Sequence, residues 1–206
     1  MSSHHFVKEQ QEPALVILNT NGVPFDLIAP LLEWVPTVLV AQEEVYTVIS
    51  WGIKIDIILA DLEFQRSHYK LLEEQYPVRF LGVQHKNYLE EALQYLIASK
   101  HGAANIVGFD HQKVSELEPM LEFIDLVIWD GPVRYFPVKN GNFKKWFTAC
   151  DIQLLAPEGS LIEVKNEEGI QVLKIHSDNR ITLPEGNTWF HSNGLFWIGE
   201  FFNTFP

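Results

Sequence analysis

Ile55-Asp56-Ile57-Ile58-Leu59-Ala60-Asp61-Leu62-Glu63 is the stretch on which the reading of the fold rests. A short apolar run of strand length gives way at once to two carboxylates. Apolar runs of this kind suit strands buried on both faces, as in a parallel sheet. The same texture recurs at residues 14–19, 37–41, 78–83, 105–108 and 125–129. Between these runs the spacing changes to that of helices. Residues 25–34 read as a helix interrupted by Pro30, and Val45, Val48 and Ile49 share one face of a second that Gly52 ends. Residues 66–75 and 113–122 also read as helical. Asn87 is placed to cap a helix whose Leu89, Leu93, Leu96 and Ile97 line one face, with Gly102 beyond it. Strand alternating with helix predicts a three-layer α/β domain with a parallel sheet.

The alternation stops at Gly131-Pro132, a strong punctuation mark. Extended runs follow at 152–156, 161–165, 170–175, 180–183 and 195–201. Turn chemistry separates them at Pro157-Glu158-Gly159, Glu168-Gly169, Asp178-Asn179 and Glu185-Gly186-Asn187. Closely spaced strands predict a small β-sandwich-like domain. The expected layout is therefore an α/β domain over 1–130 and a β-rich domain over 131–206.

Composition narrows the partners. The 206 residues are 47% hydrophobic and 13% aromatic, enough for packed cores rather than disorder. A net charge of -12 repels nucleic-acid phosphates and anionic lipid, so neither a nucleic acid nor a membrane is the expected partner. Cys150 is the one cysteine, which excludes an internal disulfide and fits a reducing compartment. The polar opening, Met1 to Pro13, with His4 and His5, lacks an apolar signal core, and no run approaches the ~18 apolar residues of a membrane span. A cytoplasmic setting is the expectation.

In an open α/β sheet, ligands bind beyond the carboxyl ends of the strands. The residues there are Asn19 and Asn21, then Gln42, Glu43 and Glu44, then Asp61 and Glu63, then Gln84, His85 and Lys86, then Asp110 and His111, and Asp130. Asp61 and Glu63 offer hard oxygen ligands of the kind Mg²⁺ takes beside substrate phosphates; the same pair also reads as a solvated acidic helix cap. Lys86 suits a phosphate as a point charge or stands in water at a helix start. The sequence has no Walker loop, no Gly-X-Gly-X-X-Gly, no nucleophile elbow and no zinc spacing.

Residues 41–64 carry more. Gly52, Ile53, Lys54, Asp56 and Asp61 match, without a gap, a stretch of the thiamin pyrophosphokinases that runs from an Asp-Gly-Gly-Ala-Asn loop through Gly-Ile-Lys-Pro-Asp to Gly-Asp-Phe-Asp-Ser. Glu63 keeps the second carboxylate of that last motif. Residues 17–22 resemble the family's first strand and Asn-Gly turn, and 86–93 its Lys-Thr-Asp-Leu-Glu helix start. Gly108 with Asp110-His111 resembles what remains of a Gly-Gly-Arg-X-Asp-His loop, and Ser192-Asn193 a Ser-Asn of its thiamin-binding β-domain. The resemblance implies ATP-dependent, Mg²⁺-assisted pyrophosphoryl transfer to thiamin by a homodimer. Carried over by position, Asp61 and Glu63 would be catalytic and hold Mg²⁺. Gln42, Glu43, Lys86, Asp110 and His111 would line the nucleotide pocket, and Ser192 and Asn193 would meet thiamin.

The departures bear on activity. Glu43 and Glu44 replace two glycines, adding bulk and charge where backbone N–H groups would approach phosphate. Asn87-Tyr88 replaces Thr-Asp, and the Gly-Gly-Arg segment is missing. Losing one group that stabilises transferring charge costs roughly 10²–10³ in rate. Three readings follow: a divergent thiamin pyrophosphokinase, a catalytically impaired member that binds small molecules or partners, or an unrelated acidic Mg²⁺-dependent phosphotransfer enzyme. Trp146, Trp189, Phe190, Phe196 and Trp197 either pack a β-core or form a stacking or dimer surface.

Overall fold

The computed structural model describes residues 12–176 and 179–202. His4, His5 and the Asp178 turn position lie outside these residues. The chain forms two compact units, one ending at Leu126 and the other beginning at Val127.

Strands β1 (Ala14–Ile17), β2 (Val38–Ala41) and β3 (Ile57–Ala60) are buried at every position, which is why they lack alternation in sequence. Helices α1 (Phe25–Ile28), α2 (Val45–Ser50), α3 (Leu62–Ser67) and α4 (Leu71–Glu74) lie between them and β4 (Arg79–Gly82); α5 (Tyr88–Ala98) leads to β5 (Ala103–Val107). The five strands are parallel in the order β5-β1-β2-β3-β4, with Val16 opposite both Leu39 and Ile106, and Ile58 opposite both Val40 and Phe80. β4, at the edge, is only partly buried. The parallel α/β expectation holds.

Helix detail differs from the sequence reading. The 25–34 helix ends at Ile28 and continues as a 3₁₀ turn over Ala29–Leu32, because Pro30 lacks an N–H for the α ladder. The helix expected over 66–75 is two: α3 starts earlier, at its Asp61 cap, and stops at His68, whose N–H bonds Phe64 O. Residues 111–122 wind as 3₁₀ rather than α, with Pro119 inside. Asn87 stands at the start of α5 without capping it; its side chain donates to Glu90 Oε2 at 3.2 Å.

β6 (Asp125–Asp130) carries the chain across the division between units. Beyond it come β7 (Val133–Val138), β8 (Asn142–Phe147), β9 (Cys150–Leu155), β10 (Leu161–Asn166), β11 (Gly169–Lys174), β12 (Arg180–Leu183), β13 (Gly186–His191) and β14 (Phe196–Phe201). The second unit is antiparallel: β6-β7-β14-β9-β12 faces a four-stranded layer, β11-β10-β13-β8. Phe147, Ile152, Leu154, Ile162, Val164, Phe190, Phe196 and Ile198 fill the core between the layers. The sandwich-like expectation holds, but β7, β8 and β13 were not legible as strands. Pro137 sits inside β7, paired lysines interrupt β8, and β13 opens on Gly186-Asn187, which reads as turn chemistry. Cys150 packs partly buried against the core, and burial pushes its thiol pKa up, the state of an inert thiol.

Candidate functional site

The polar residues that follow β2, β3 and β4 meet at the carboxyl edge of the first unit. Asp61 leaves β3 and caps α3: its Oδ1 accepts from Phe64 N at 2.8 Å. Gln42, leaving the neighbouring β2, closes a two-point clamp on it. Gln42 Nε2 donates to Asp61 Oδ2 at 3.0 Å, and Asp61 N donates to Gln42 Oε1 at 2.8 Å. The Phe64 N–H above all, then the Gln42 amide, holds the Asp61 carboxyl below its ordinary pKa; the charge of Lys86 adds to this.

Glu43 is the hub of a second cluster. Its Oε1 accepts from the Tyr88 hydroxyl at 2.8 Å and lies 3.5 Å from Lys86 Nζ. Burial, then the bond to Glu43, pushes the Tyr88 hydroxyl pKa well up, so it remains a proton donor at any ordinary pH. Lys86 reaches Glu43 from a constrained loop: His85 and Lys86 both have positive φ, 53° and 59°. Side chains in this region cost about 1–3 kcal/mol each, and such outliers gather at ligand clamps and switches. Glu44 is tied on the other side, accepting from Thr20 Oγ1 at 2.7 Å. Sequence reasoning named Gln42, Glu43, Asp61 and Lys86 but not the partner Tyr88, which it treated only as a lost carboxylate.

The remaining expected residues have contacts of their own. Glu63 opens the first turn of α3 and is exposed, in a shallow hollow that Leu62, Arg66 and Ser67 also line. Asp110 caps the 3₁₀ segment that begins at His111, its Oδ1 accepting from Gln112 N at 3.0 Å. Gly108, just before them, has φ +79°, and a Cβ there would lie 2.1 Å from Asn19 O. This glycine serves contact between the loops after β1 and β5. Ser192 and Asn193 lie in the second unit, where Ser192 is buried and its N–H bonds Gly141 O at 2.8 Å, while Asn193 is exposed. Asp56, matched by motif, lies at the other end of β3, where its Oδ2 accepts from Val38 N at 2.9 Å; its role is to lock β2 to β3.

A Mg²⁺–nucleotide group does not fit these donors as they stand. Mg²⁺ takes near-octahedral oxygen from carboxylates and phosphates. Each Asp61 oxygen accepts one hydrogen bond and keeps a lone pair for a cation, but the described residues give it no companion ligands. Among the described residues, no set of three His, Cys, Asp or Glu with ligand atoms within 4.8 Å of one another includes Asp61 or Glu63. Glu43 and Glu44, where a phosphate cradle would need bare backbone, are engaged with Lys86, Tyr88 and Thr20.

No protein-family profile matches the sequence, and no curated protein matches it. Solved structures do match. Thiamine pyrophosphokinase from Bacillus subtilis superimposes with a TM-score of 0.71 over 93% of this chain and 99% of its own, at 10% identity. Thiamin pyrophosphokinase from Candida albicans gives 0.72 over 96% and 91%, at 11% identity. The yeast enzyme gives 0.67 over 95% and 88%, at 10% identity. At such identity the likeness speaks for architecture, and the architecture of this chain, α/β unit and β-sandwich together, is that of the thiamin pyrophosphokinases.

Proposed function

We propose that this chain is a catalytically impaired thiamin pyrophosphokinase-like protein, acting as a small-molecule-binding or interaction module. The observation that carries the reading is the Glu43 cluster. Where the fold's nucleotide edge needs open backbone, Glu43 bonds Tyr88 and pairs with Lys86, so the site's own cation is already neutralised. An anionic triphosphate would have to displace that carboxylate and then lie beside Glu44. Like charge and lost hydrogen bonds both oppose it.

Calorimetry with Mg²⁺ and ATP, then with thiamin, tests this, together with an assay for thiamin diphosphate. The reading expects no Mg²⁺-dependent ATP binding and no product, with any thiamin binding indifferent to ATP. Tight ATP binding that vanishes in Asp61→Ala, with thiamin diphosphate formed, would overturn it.

One observation favours the second reading, a working ATP- and Mg²⁺-dependent kinase. Asp61 is held ionised at the carboxyl end of β3 with the charge of Lys86 acting on it. In that reading Glu43 swings aside on nucleotide binding. The double variant Glu43→Gly, Glu44→Gly would then raise ATP affinity, whereas a module that has lost the site gains nothing. The homodimer that goes with the family resemblance has a suitable surface in the outward face of the four-stranded layer. Trp146, Leu161, Ile170, Val172 and Trp189 are all exposed there. Among the described residues no helix is long and apolar enough to cross a membrane; a cytoplasmic setting remains part of the proposal.

A further inference from the structure

A large hollow in the first unit lies at the wrong end of the sheet for the family's chemistry. It encloses about 710 Å³ and opens where β2, β3 and β4 begin, with Thr37, Val38, Asp56 and Arg79 on its lining. That volume is in the range of small-molecule sites. Ligands of open α/β sheets bind at the opposite, carboxyl edge, so this hollow is separate from the cluster around Asp61 and Glu43.

Two features give it chemical character. Phe25 and Trp51 both line it, their ring centroids 5.7 Å apart and tilted by 50°, which presents an aromatic corner. Charge is the second. The lining carries two cations, Lys54 and Arg79, against one carboxylate, Asp56. Lys54 lies 3.7 Å from Asp56, which also accepts from Val38 N. The Arg79 guanidinium has no acidic partner among the described residues; its side-chain hydrogen bond goes to the Tyr95 hydroxyl at 3.1 Å. In a chain of net charge -12, an arginine left without a carboxylate at the mouth of a hollow is out of character. The rim is also conformationally constrained: Val35, a lining residue, is held at φ 53°, a region that β-branched residues rarely occupy.

We propose that this amino-edge hollow is a binding site for a small planar aromatic anion, its ring against Phe25 and Trp51 and its carboxylate on Arg79. The guanidinium supplies a charge-assisted fork for a carboxylate, and the rings supply stacking area. The site involves none of the residues at the carboxyl edge, so its fate is independent of the function proposed above.

The test is calorimetry on the intact protein with 2-naphthoate as probe, the neutral 2-naphthamide as its charge-free match, and the variants Arg79→Gln and Trp51→Leu. The expected result is saturable one-to-one binding of 2-naphthoate, weakened about tenfold or more by Arg79→Gln and by loss of the probe's charge. Trp51→Leu should weaken both probes. Arg79 is exposed, so its variant tests the site without disturbing the core. Absence of 2-naphthoate binding at millimolar concentration would overturn the proposal. So would equal affinity for the two probes, or an affinity unchanged in Arg79→Gln.

Discussion

At Gly108 a single hydrogen separates a folded loop from a collision. Its φ is +79°, and any Cβ would sit 2.1 Å from a backbone oxygen that cannot swing away. Gly108→Ala should therefore cost about 2–4 kcal/mol in urea unfolding. Gly52 is the control: its φ is +73°, yet nothing lies within 4 Å of a Cβ there. Gly52→Ala should cost only the conformational term, about 1 kcal/mol. Equal losses at the two positions would show that backbone conformation, not the clash, governs both. Asp61 gives a second test at this scale. With its folded pKa below the ordinary carboxylate value, its contribution to stability is complete at neutral pH and is lost as the pH falls below about 4. Gln42→Leu removes one of the two bonds that hold the charge, so the Asp61 pKa read by carboxyl NMR should rise; an unmoved titration would mean the clamp is idle. The sequence shows Gln42 and Asp61 as polar residues at strand ends. It does not show them as partners, because that requires β2 and β3 to lie side by side. Asp56 is the converse: its motif is legible, but its task of locking β2 is visible only in the register.

Among the elements, β7, β8 and β14 make a polar end to an otherwise apolar sandwich. Arg134 and Glu200 face each other in register, Nη2 to Oε2 at 2.6 Å, and Lys145 reaches Glu200 from the opposite layer at 2.7 Å. Burial alone would raise the Glu200 pKa, but Lys145 and Arg134 outweigh it and hold it low. Glu200→Ala leaves two partly buried cations facing each other and should cost about 3 kcal/mol, read by chemical denaturation. Adding Lys145→Met should recover part of that loss; a purely additive double variant would exclude coupling. This network also explains why β8 was missed in the sequence. Lys145 points inward and Lys144 lies 4.6 Å from the Trp189 ring, so the inside–outside alternation is disguised by charge on both faces. Where strands are uniformly apolar, as in β1, β2 and β3, their positions could be read directly.

For the molecule as a whole, acid should act in two stages. His101 is buried, and burial lowers its pKa; it bonds Ser99 Oγ at 3.1 Å and Thr37 Oγ1 at 3.2 Å. A base kept neutral in the folded state contributes stability above its unfolded pKa of about 6.5, and that contribution is lost as the pH falls through the depressed folded value. Below about pH 4 the second stage begins, as Asp61, Asp151 and Glu200, all with lowered pKa, take up protons. Urea midpoints at pH 7, 5.5 and 3 should fall stepwise, and His101→Gln should flatten the first step only. A midpoint constant from pH 7 to 5 in the parent protein would refute the role given to His101. The layout, α/β followed by β, was legible because buried apolar runs alternating with helices give way to closely spaced strands separated by turn chemistry. At 10–12% identity to its structural relatives, however, the site is not written as a motif. It is a set of contacts between residues distant in sequence.

The triangle of Glu43, Lys86 and Tyr88 works as a latch whose three parts depend on one another. Glu43→Gly alone would strip the Tyr88 hydroxyl of its acceptor and leave Lys86, on its constrained loop, with only the more distant charge of Asp61. That single change gives up two contacts before any gain from opened backbone appears. Opening this edge to an anion therefore means releasing the latch as a whole, not trimming one side chain.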